Sequence, residues 1–354
     1  GDHRDLPSFP TRRSSDLNLA LCLARQSRGR VLILDFDAHD CGDAATLAGL
    51  ASPTPLTDLA PKLHAMTPKE ISDEIAAFSE KVSILPMFRQ PQKPGSLKPE
   101  QVDAALDALL DEFQYVVADC GSAIEPQALP VLERSSLIFF VTTPEILALN
   151  RAVHSLNEFQ SLAFASDLIQ IIINRFDPKG AITESIVRQK LKKDCLALFP
   201  DEPEEMAESL HKGTPLFALN PRATYSQVMD QLSGHLMSRE LLRPNKGKKT
   251  TATGKDGTLI LTPADRGEKA STKDDLARIE EIKRKVHNRL IEVMDFRRFS
   301  TEELSKQDSK ALEDLRTKTR EAILNILDQT GAIRGREERQ QIVKEVLDEA
   351  LGLG

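Results

Sequence analysis

The chain reads as an α/β protein built on a doubly wound, mostly parallel sheet, followed by a separate C-terminal all-helical module. Three observations carry this expectation. Val31-Leu32-Ile33-Leu34-Asp35-Phe36-Asp37 runs four apolar residues into carboxylates, the pattern of a strand buried on both faces whose tip delivers acids to the sheet edge. Tyr115-Val116-Val117-Ala118-Asp119-Cys120-Gly121-Ser122 repeats the pattern. Strand-like and helix-like stretches alternate across residues 18–238, as parallel strands joined by helical crossovers require.

Residues 1–17 stand apart, with Pro7, Pro10, three arginines, three serines and no periodicity. The run Ser8–Leu17 (SFPTRRSSDL) is also the translation of a common sequencing-library adapter, so residues 1–17 are read as an adapter artefact and set aside from fold reasoning. Asn18–Gln26 predicts the tail of an apolar helix, stopped by Ser27-Arg28-Gly29. After the first acid-tipped strand, Asp43–Leu50 and Pro55–Phe78 read as helical pieces punctuated by proline, Val82–Pro86 as a short strand, and Pro91–Pro99 as a Pro/Lys loop. Pro99–Phe113 is an amphipathic helix with Val102, Leu106, Leu109 and Leu110 on its apolar face. It leads into the second acid-tipped strand.

Ser136–Thr142, Leu168–Asn174 and Leu196–Pro200 are the further strands; Glu145–Ala163, Ile182–Lys193 and Ala223–Met237 are the helices between and after them. Residues 239–272 change texture to a Lys/Thr/Gly-rich stretch with one apolar patch, Leu259-Ile260-Leu261, and read as a flexible basic linker. Residues 273–354 form the all-helical module, with helices near Asp274–Met294, Ser309–Gln329 and Arg336–Leu351. Ile279, Ile282, Val286 and Leu290, and again Ile342, Val346 and Leu347, make one-sided helices that need a partner surface. Thr330-Gly331 supplies a stop.

Composition narrows the function. The net charge of −7, with acids and bases well mixed, argues against a dedicated nucleic-acid binder. Cys22, Cys41, Cys120 and Cys195 form no CxxC pair, which disfavours a zinc site or a disulfide framework and fits a reducing cytoplasm. No apolar run reaches bilayer length.

Taken in order and spacing, NLA…LAR, LILDFD with Gly42-Asp43, QYVVADCGS, FFVTTPE, IIINRFD and Lys212-Gly213-Thr214-Pro215-Leu216 resemble the MinD/ParA group of P-loop ATPases, especially its CpaE/TadZ pilus-assembly branch. The resemblance covers residues 18–238. It implies a P-loop NTPase fold, ATP and Mg2+ as ligands, and a homodimer. It also implies residue roles. Asp37 orients the attacking water, Asp35 lies in the magnesium shell, and Asp119 contacts magnesium through water. Asn174 and Arg175 border the adenine, with Pro200 and Asp201 on the loop across the base. Such acids at strand ends suit phosphoryl transfer, where developing charge needs a metal and oriented oxygens.

Residues 273–354 resemble the N-terminal helical region of the CpaF/TadA-type secretion ATPase, through Lys285-Val286-His287-Asn288-Arg289-Leu290-Ile291-Glu292 and the run from Arg339 to Gly354. In that family the run continues into a RecA-like motor, so a truncated C-terminus is expected. His287 is expected to be a packing or surface residue.

One departure bears on activity. The group's Gly-rich loop with its Lys-Ser/Thr, which cradles phosphate at the start of the first helix, should place its lysine near Arg12 or Arg13, within the adapter-like segment. The literal chain is therefore expected to be inactive as an ATPase. The expected role is an ATPase-like assembly or localisation component of Tad (Flp) pilus biogenesis, acting with pilus and secretion machinery, cytoplasmic or peripheral at the inner membrane or cell pole. The alternatives are a non-catalytic dimerising scaffold of the same system and a ParA-like DNA-partitioning ATPase; no specific nucleic acid is expected.

Overall fold

In a computed structural model, residues 13–27, 29–37, 43–89, 97–238, 242, 252–253, 259–260, 273–293 and 309–351 are described. The chain divides into two compact units: Gly1–Leu149 with Gln170–Lys248, and Asn150–Ile169 with Lys249–Gly354.

The first unit is organised by β1 (Val31–Asp35), whose five residues are all buried. Alternation explains why. Val31 and Ile33 face one apolar cluster, filled by α1 (Arg13–Gln26) and α11 (Thr224–Ser238). Leu32 and Leu34 face another, filled by α5 (Pro99–Glu112) and α6 (Leu129–Arg134). Helix α1 starts at Arg13, inside the adapter-like segment, and buries Leu17, Ala20 and Leu23.

Strand β1 lies between β3 (Val82–Pro86) and β4 (Tyr115–Asp119), parallel to both, in the order β2-β3-β1-β4. The two-residue β2 (Ala76–Ala77) adds an antiparallel edge to β3, too short to leave a sequence pattern. Strand β4 is only partly buried along Val116–Asp119, because it is the other edge of this sheet. A second sheet has the order β5-β6-β7, from Ile138–Thr142, Ile169–Phe176 and Cys195–Pro200, with β6 and β7 parallel. Ile172 and Phe199 of this sheet share the cluster that holds Val31 and Ile33.

Between β1 and β3 the chain forms α2 (Asp43–Leu47), α3 (Leu56–Leu59) and α4 (Pro68–Glu74). Helix α4 starts on a capping box, Thr67 with Glu70. Helices α7 (Ile146–Ser161) and α8 (Glu184–Leu191) fall where the periodicity predicts, within two or three residues. Helices α9 (Pro203–His211) and α10 (Leu216–Leu219) lie where the sequence reading has none. The turn between them is a Schellman stop: the Gly213 amide reaches Leu210 O, the Thr214 amide reaches Ser209 O, and Gly213 has φ +59°.

In the second unit, α12 (Lys273–Val293), α13 (Ser309–Thr330) and α14 (Arg336–Ala350) bury Ile282, Val286, Leu290, Ile323, Leu327, Ile342, Val343, Val346 and Leu347 against one another and Ala163. The one-sided helices thus find partners in each other. Gly331, at φ +57°, ends α13 with its amide on Leu327 O. Of the expected linker, Ala252–Thr253 and Leu259–Ile260 pair as β8 and β9; its remaining residues, bar Leu242, lie outside the described ones, as does most of the Pro91–Pro99 loop.

Lys192, at the C-cap of α8, is exposed and left-handed at φ 54°. A side chain in that conformation costs about 1–2 kcal/mol, against roughly 0.5–1 kcal/mol of extra chain entropy for glycine. Lys192→Gly is expected to stabilise the first unit by about 0.5–1 kcal/mol, read as a higher urea midpoint at unchanged slope.

Candidate functional site

The parallel register sets Asp35 opposite Asp119 at the ends of β1 and β4. Both belong to the side-chain set that faces α1 and α11, because the alternation that puts Ile33 and Val117 in that cluster continues to the strand tips. Asp35 is fully buried, and its Oδ2 accepts from the Ala44 amide at 3.3 Å, in the first turn of α2. A carboxylate there also complements the positive end of the helix.

Asp37 and Asp119 meet at Gly121. The Gly121 amide donates to Asp119 Oδ1 at 2.9 Å. Gly121 has φ +72°, and a methyl group added to it would lie 3.0 Å from Asp37 Cγ and 3.1 Å from its Oδ1. The left-handed turn therefore does two things: it aims an amide at one acid and clears room for the other. The Phe36 amide donates to Asp119 O at 2.8 Å, which locks the two strand tips together. Sequence reasoning quotes Gly121 without giving it this part; an acid followed two residues later by glycine is the available signal.

Cys120 lies between these groups. Burial first, and then the charges of Asp119, Asp16 and Asp37, push its thiol up to about 12. Asp16, in the first turn of α1, thus belongs to the same electrostatic neighbourhood. Burial likewise lifts Cys22 to about 12.

The other sequence-derived residues gather at the ends of β6 and β7. Asn174 is buried, and its Oδ1 accepts from the Arg175 amide at 3.0 Å. Arg175 has φ +55°, which turns the chain sharply, and its Nε donates to Asp201 Oδ1 at 3.2 Å. Pro200 pairs with Phe176 in the β6–β7 register. Asn174, Arg175, Pro200 and Asp201 therefore form one cluster, and Asp37 and Asp119 form another with Asp35 in register beside it.

Three residues to which the sequence reading gives no such role, Glu202, Tyr225 and Asn18, tie the end of β7 to α11 and the start of α1 to α11 and α10. Glu202 accepts from the Thr224 and Tyr225 amides at 3.1 and 2.9 Å, satisfying the start of α11 from 22 residues upstream. Tyr225 is buried against Phe199, with its hydroxyl 2.8 Å from Ser15 Oγ; burial raises its pKa. Asn18, also buried, accepts from the Phe217 amide at 2.6 Å. No local pattern marks these long-range bonds.

Among the described residues no group of three or more His, Cys, Asp and Glu is arranged to hold a metal on its own. The acids at Gly121 fit an ion whose remaining ligands are phosphate oxygens and water, the usual habit of magnesium. Residues 1–12, which precede α1, contain no lysine and one glycine, Gly1. Among the described residues no helix is long and apolar enough to cross a membrane.

No family model matches the chain. It is 26% identical to the septum site-determining protein MinD of Thermotoga maritima over 142 residues, 39% of this chain and 52% of that protein. The chain spans only 50–66% of the length of the curated relatives it matches, all of them MinD proteins. In three dimensions it is similar to a ParA family ATPase from Chlorobium tepidum, with TM-score 0.59 and 22% identity, covering 63% of this chain and 93% of that one. It is also similar to the MinD of Pyrococcus horikoshii in complex with Mg-ADP, with TM-score 0.53 and 18% identity, covering 65% and 92%. The fold is thus of the MinD/ParA type, with an additional C-terminal helical region.

Two outcomes test this geometry. Gly49 is also left-handed, at φ +68°, but has open space around a new methyl group. Gly49→Ala is expected to cost about 1–2 kcal/mol from backbone strain alone, and Gly121→Ala distinctly more, in paired urea titrations. The cysteines give the second. Cys22 and Cys120 keep their protons in the folded chain above the ordinary thiol range. Their contribution to stability is therefore whole below about pH 9 and is lost as pH rises toward about 12. Alkylation of both at about pH 8, just under the ordinary thiol pKa, is expected to be slow in the native chain and fast in urea, read by peptide mass mapping.

Proposed function

We propose that residues 18–238 are a MinD/ParA-type nucleotide switch that takes ATP with Mg2+, assembles as a homodimer, and serves as an assembly or localisation factor of a Tad-type pilus or secretion system. The observation that supports this reading most is the meeting of Asp37 and Asp119 at Gly121 on the parallel-strand edge. Asp37, beside the Gly121 turn, is suited to hold an attacking water by accepting a hydrogen bond from it. Asp119, fixed by the Gly121 amide, is suited to hold a metal-bound water, and Asp35 to complete the acid set around it. Asn174, Arg175, Pro200 and Asp201 are suited to border a purine: the buried Asn174 presents an amide, and the Arg175–Asp201 pair closes the edge. The magnesium ion would neutralise phosphate charge.

The pilus assignment rests on the resemblance of residues 18–238 to the CpaE/TadZ branch and of residues 273–354 to the CpaF/TadA-type motor. Cytoplasmic residence, at the inner membrane or the cell pole, follows from the same reading. A ParA-like role on DNA is disfavoured by the charge of −7.

A specific observation favours a second reading for the chain as written. No lysine precedes Lys62 in the sequence, and arginines, Arg12 and Arg13, stand where the resemblance places the phosphate-loop lysine. One cation that meets transition-state charge, an arginine finger, is worth roughly three to five orders of magnitude in phosphoryl-transfer rate, which sets the scale for the missing lysine. On this reading the chain is a dimerising scaffold that does not turn over nucleotide.

Titration with a fluorescent mant-ATP separates the two. The chain as written is expected to show no saturation up to about millimolar nucleotide, and a version with a Gly-rich Lys-Thr loop ahead of Ser14 to saturate in the micromolar range, roughly 4 kcal/mol tighter. Micromolar binding by the unmodified chain would overturn the argument about the missing lysine; no binding by the repaired chain would overturn the nucleotide switch.

A further inference from the structure

Helix α7 ends with every carbonyl of its last turn accounted for, and the accounting divides in two. The first part is local. Ala163 is left-handed at φ +67°, its amide donates to Gln160 O at 2.9 Å, and the Phe164 amide donates to Phe159 O at 3.0 Å. This is a Schellman stop with alanine where glycine is usual, completed by an edge-to-face contact of Phe159 and Phe164 at 5.4 Å.

The second part comes from the C-terminal helices. Arg320 Nη2 donates to Ser161 O at 3.0 Å. Arg336 Nε and Gln340 Nε2 donate to Leu162 O at 2.9 and 3.3 Å. Arg339 Nε donates to Ala163 O at 2.9 Å. Three of the four donors are cations placed on the negative end of a helix, where they are favoured, and Gln340 adds a neutral amide. The reverse side of the turn is held too: the Ser166 amide donates to Asp328 Oδ1 at 3.2 Å, Gln160 Nε2 donates to Asn325 Oδ1 at 2.8 Å, and Arg334 pairs with Asp167.

At the centre lies Arg339, 1% exposed, which also binds Ile333 O and Asp328. Ala163 is fully buried in the apolar cluster of α12, α13 and α14, and the Arg336 guanidinium stacks over Phe164. A buried arginine anchor, apolar contact around it and charge-assisted bonds at the margin are the anatomy of a protein–protein interface. The partners are separated by 159 to 178 residues of sequence.

We propose that the α7–β6 turn, Gln160–Asp167, is a docking site for a helical module of the kind formed by α13 and α14, and that the interface closes without the linker. Residues 309–351 fill it within one chain. The occupant is this chain's own segment, which engages the turn through Arg320, Arg336, Arg339 and Gln340 with Asp328 beside them. The nucleotide reading plays no part in this docking, so the two fail separately.

The test uses the whole chain, folded and then cut. A protease recognition sequence replaces residues 261–265, so that both strands of the β8–β9 pair stay on one fragment, and the cleaved protein is passed over a sizing column at micromolar concentration. The two fragments are expected to co-elute. Arg320→Ala with Arg336→Ala is expected to weaken their association at least about tenfold, since each lost charge-assisted bond is worth about that factor. Arg289→Ala, whose ion pair with Glu292 lies within α12, serves as the control and is expected to leave association unchanged. Arg339→Ala is avoided, because that side chain also holds the module's interior. Hydrogen exchange on the uncut chain gives a second readout: protection of residues 160–169 is expected to fall in the double variant at unchanged helix content. Fragments that separate on cutting, or a double variant that matches the control in both measurements, would overturn the proposal.

Discussion

The first unit depends on β1 having no free side. Four aliphatic side chains, Val31 to Leu34, are at zero exposure, and full burial stabilises each by about 1.5–3 kcal/mol. Because both faces are apolar, alternation alone does not choose the register, as it would for a half-exposed strand. The ends choose it. Arg30 stacks on Phe113 and pairs with Glu112 at one end, and Phe36 ties its amide to Asp119 at the other. A slip by one residue would draw a guanidinium into the sheet. The acids are thus placed by what cannot move inward, and Asp37 and Asp119 meet as a result.

What is legible in the sequence follows the range of the forces involved. The runs VLILD and YVVAD announce themselves because burial of a strand is a local apolar pattern, and the acid tips follow directly. The helices of the C-terminal module are equally plain from Ile279 to Leu290 and from Ile342 to Leu347. Helices α9 and α10 escape because they are short and bury few apolar side chains. Partial exposure of β4 escapes because edge position is a property of the sheet, not of the strand. For the candidate site, the residues fall together in two sets as neighbours, whereas the means of holding them is not written locally. Gly121 acts through a backbone conformation, and Glu202 acts on amides 22 residues away; neither leaves a periodic trace.

The end of α7 shows the same limit more sharply. Its sequence, Gln160-Ser161-Leu162-Ala163-Phe164, carries no glycine, the residue that usually permits a left-handed stop. The strained alanine is held because four side chains from the C-terminal helices occupy the carbonyls around it. A helix terminus left in water would have its carbonyls solvated at little cost. Burying that turn against Ile323 and Leu327 removes the water, and each carbonyl then demands a donor. Arginine meets the demand with several donors in a fixed plane, which is why Arg336 and Arg339 are spaced to reach successive carbonyls and why lysine in their place would satisfy fewer.

The acid half of the candidate site has meaning only with a matching cationic half. Burial does most to raise the Cys120 thiol, and the charges of Asp119, Asp16 and Asp37 add to it, so these carboxylates share one neighbourhood. A triphosphate brings several more negative charges, and like charges at a few ångströms in a partly buried cleft repel by several kcal/mol at an effective dielectric near about 20. On the proposed reading a divalent metal, held by Asp35 and Asp119, would offset part of this. On the same reading the remaining charge would fall to amides at the start of the first helix and to a cationic side chain. The start of α1 instead presents Ser15, turned to Tyr225, and Asp16. On the proposed reading, Asp16 in the first turn of α1 would add a negative charge beside the acids at Gly121, and the sequence just ahead of it offers arginines, Arg12 and Arg13, where the resemblance calls for a lysine.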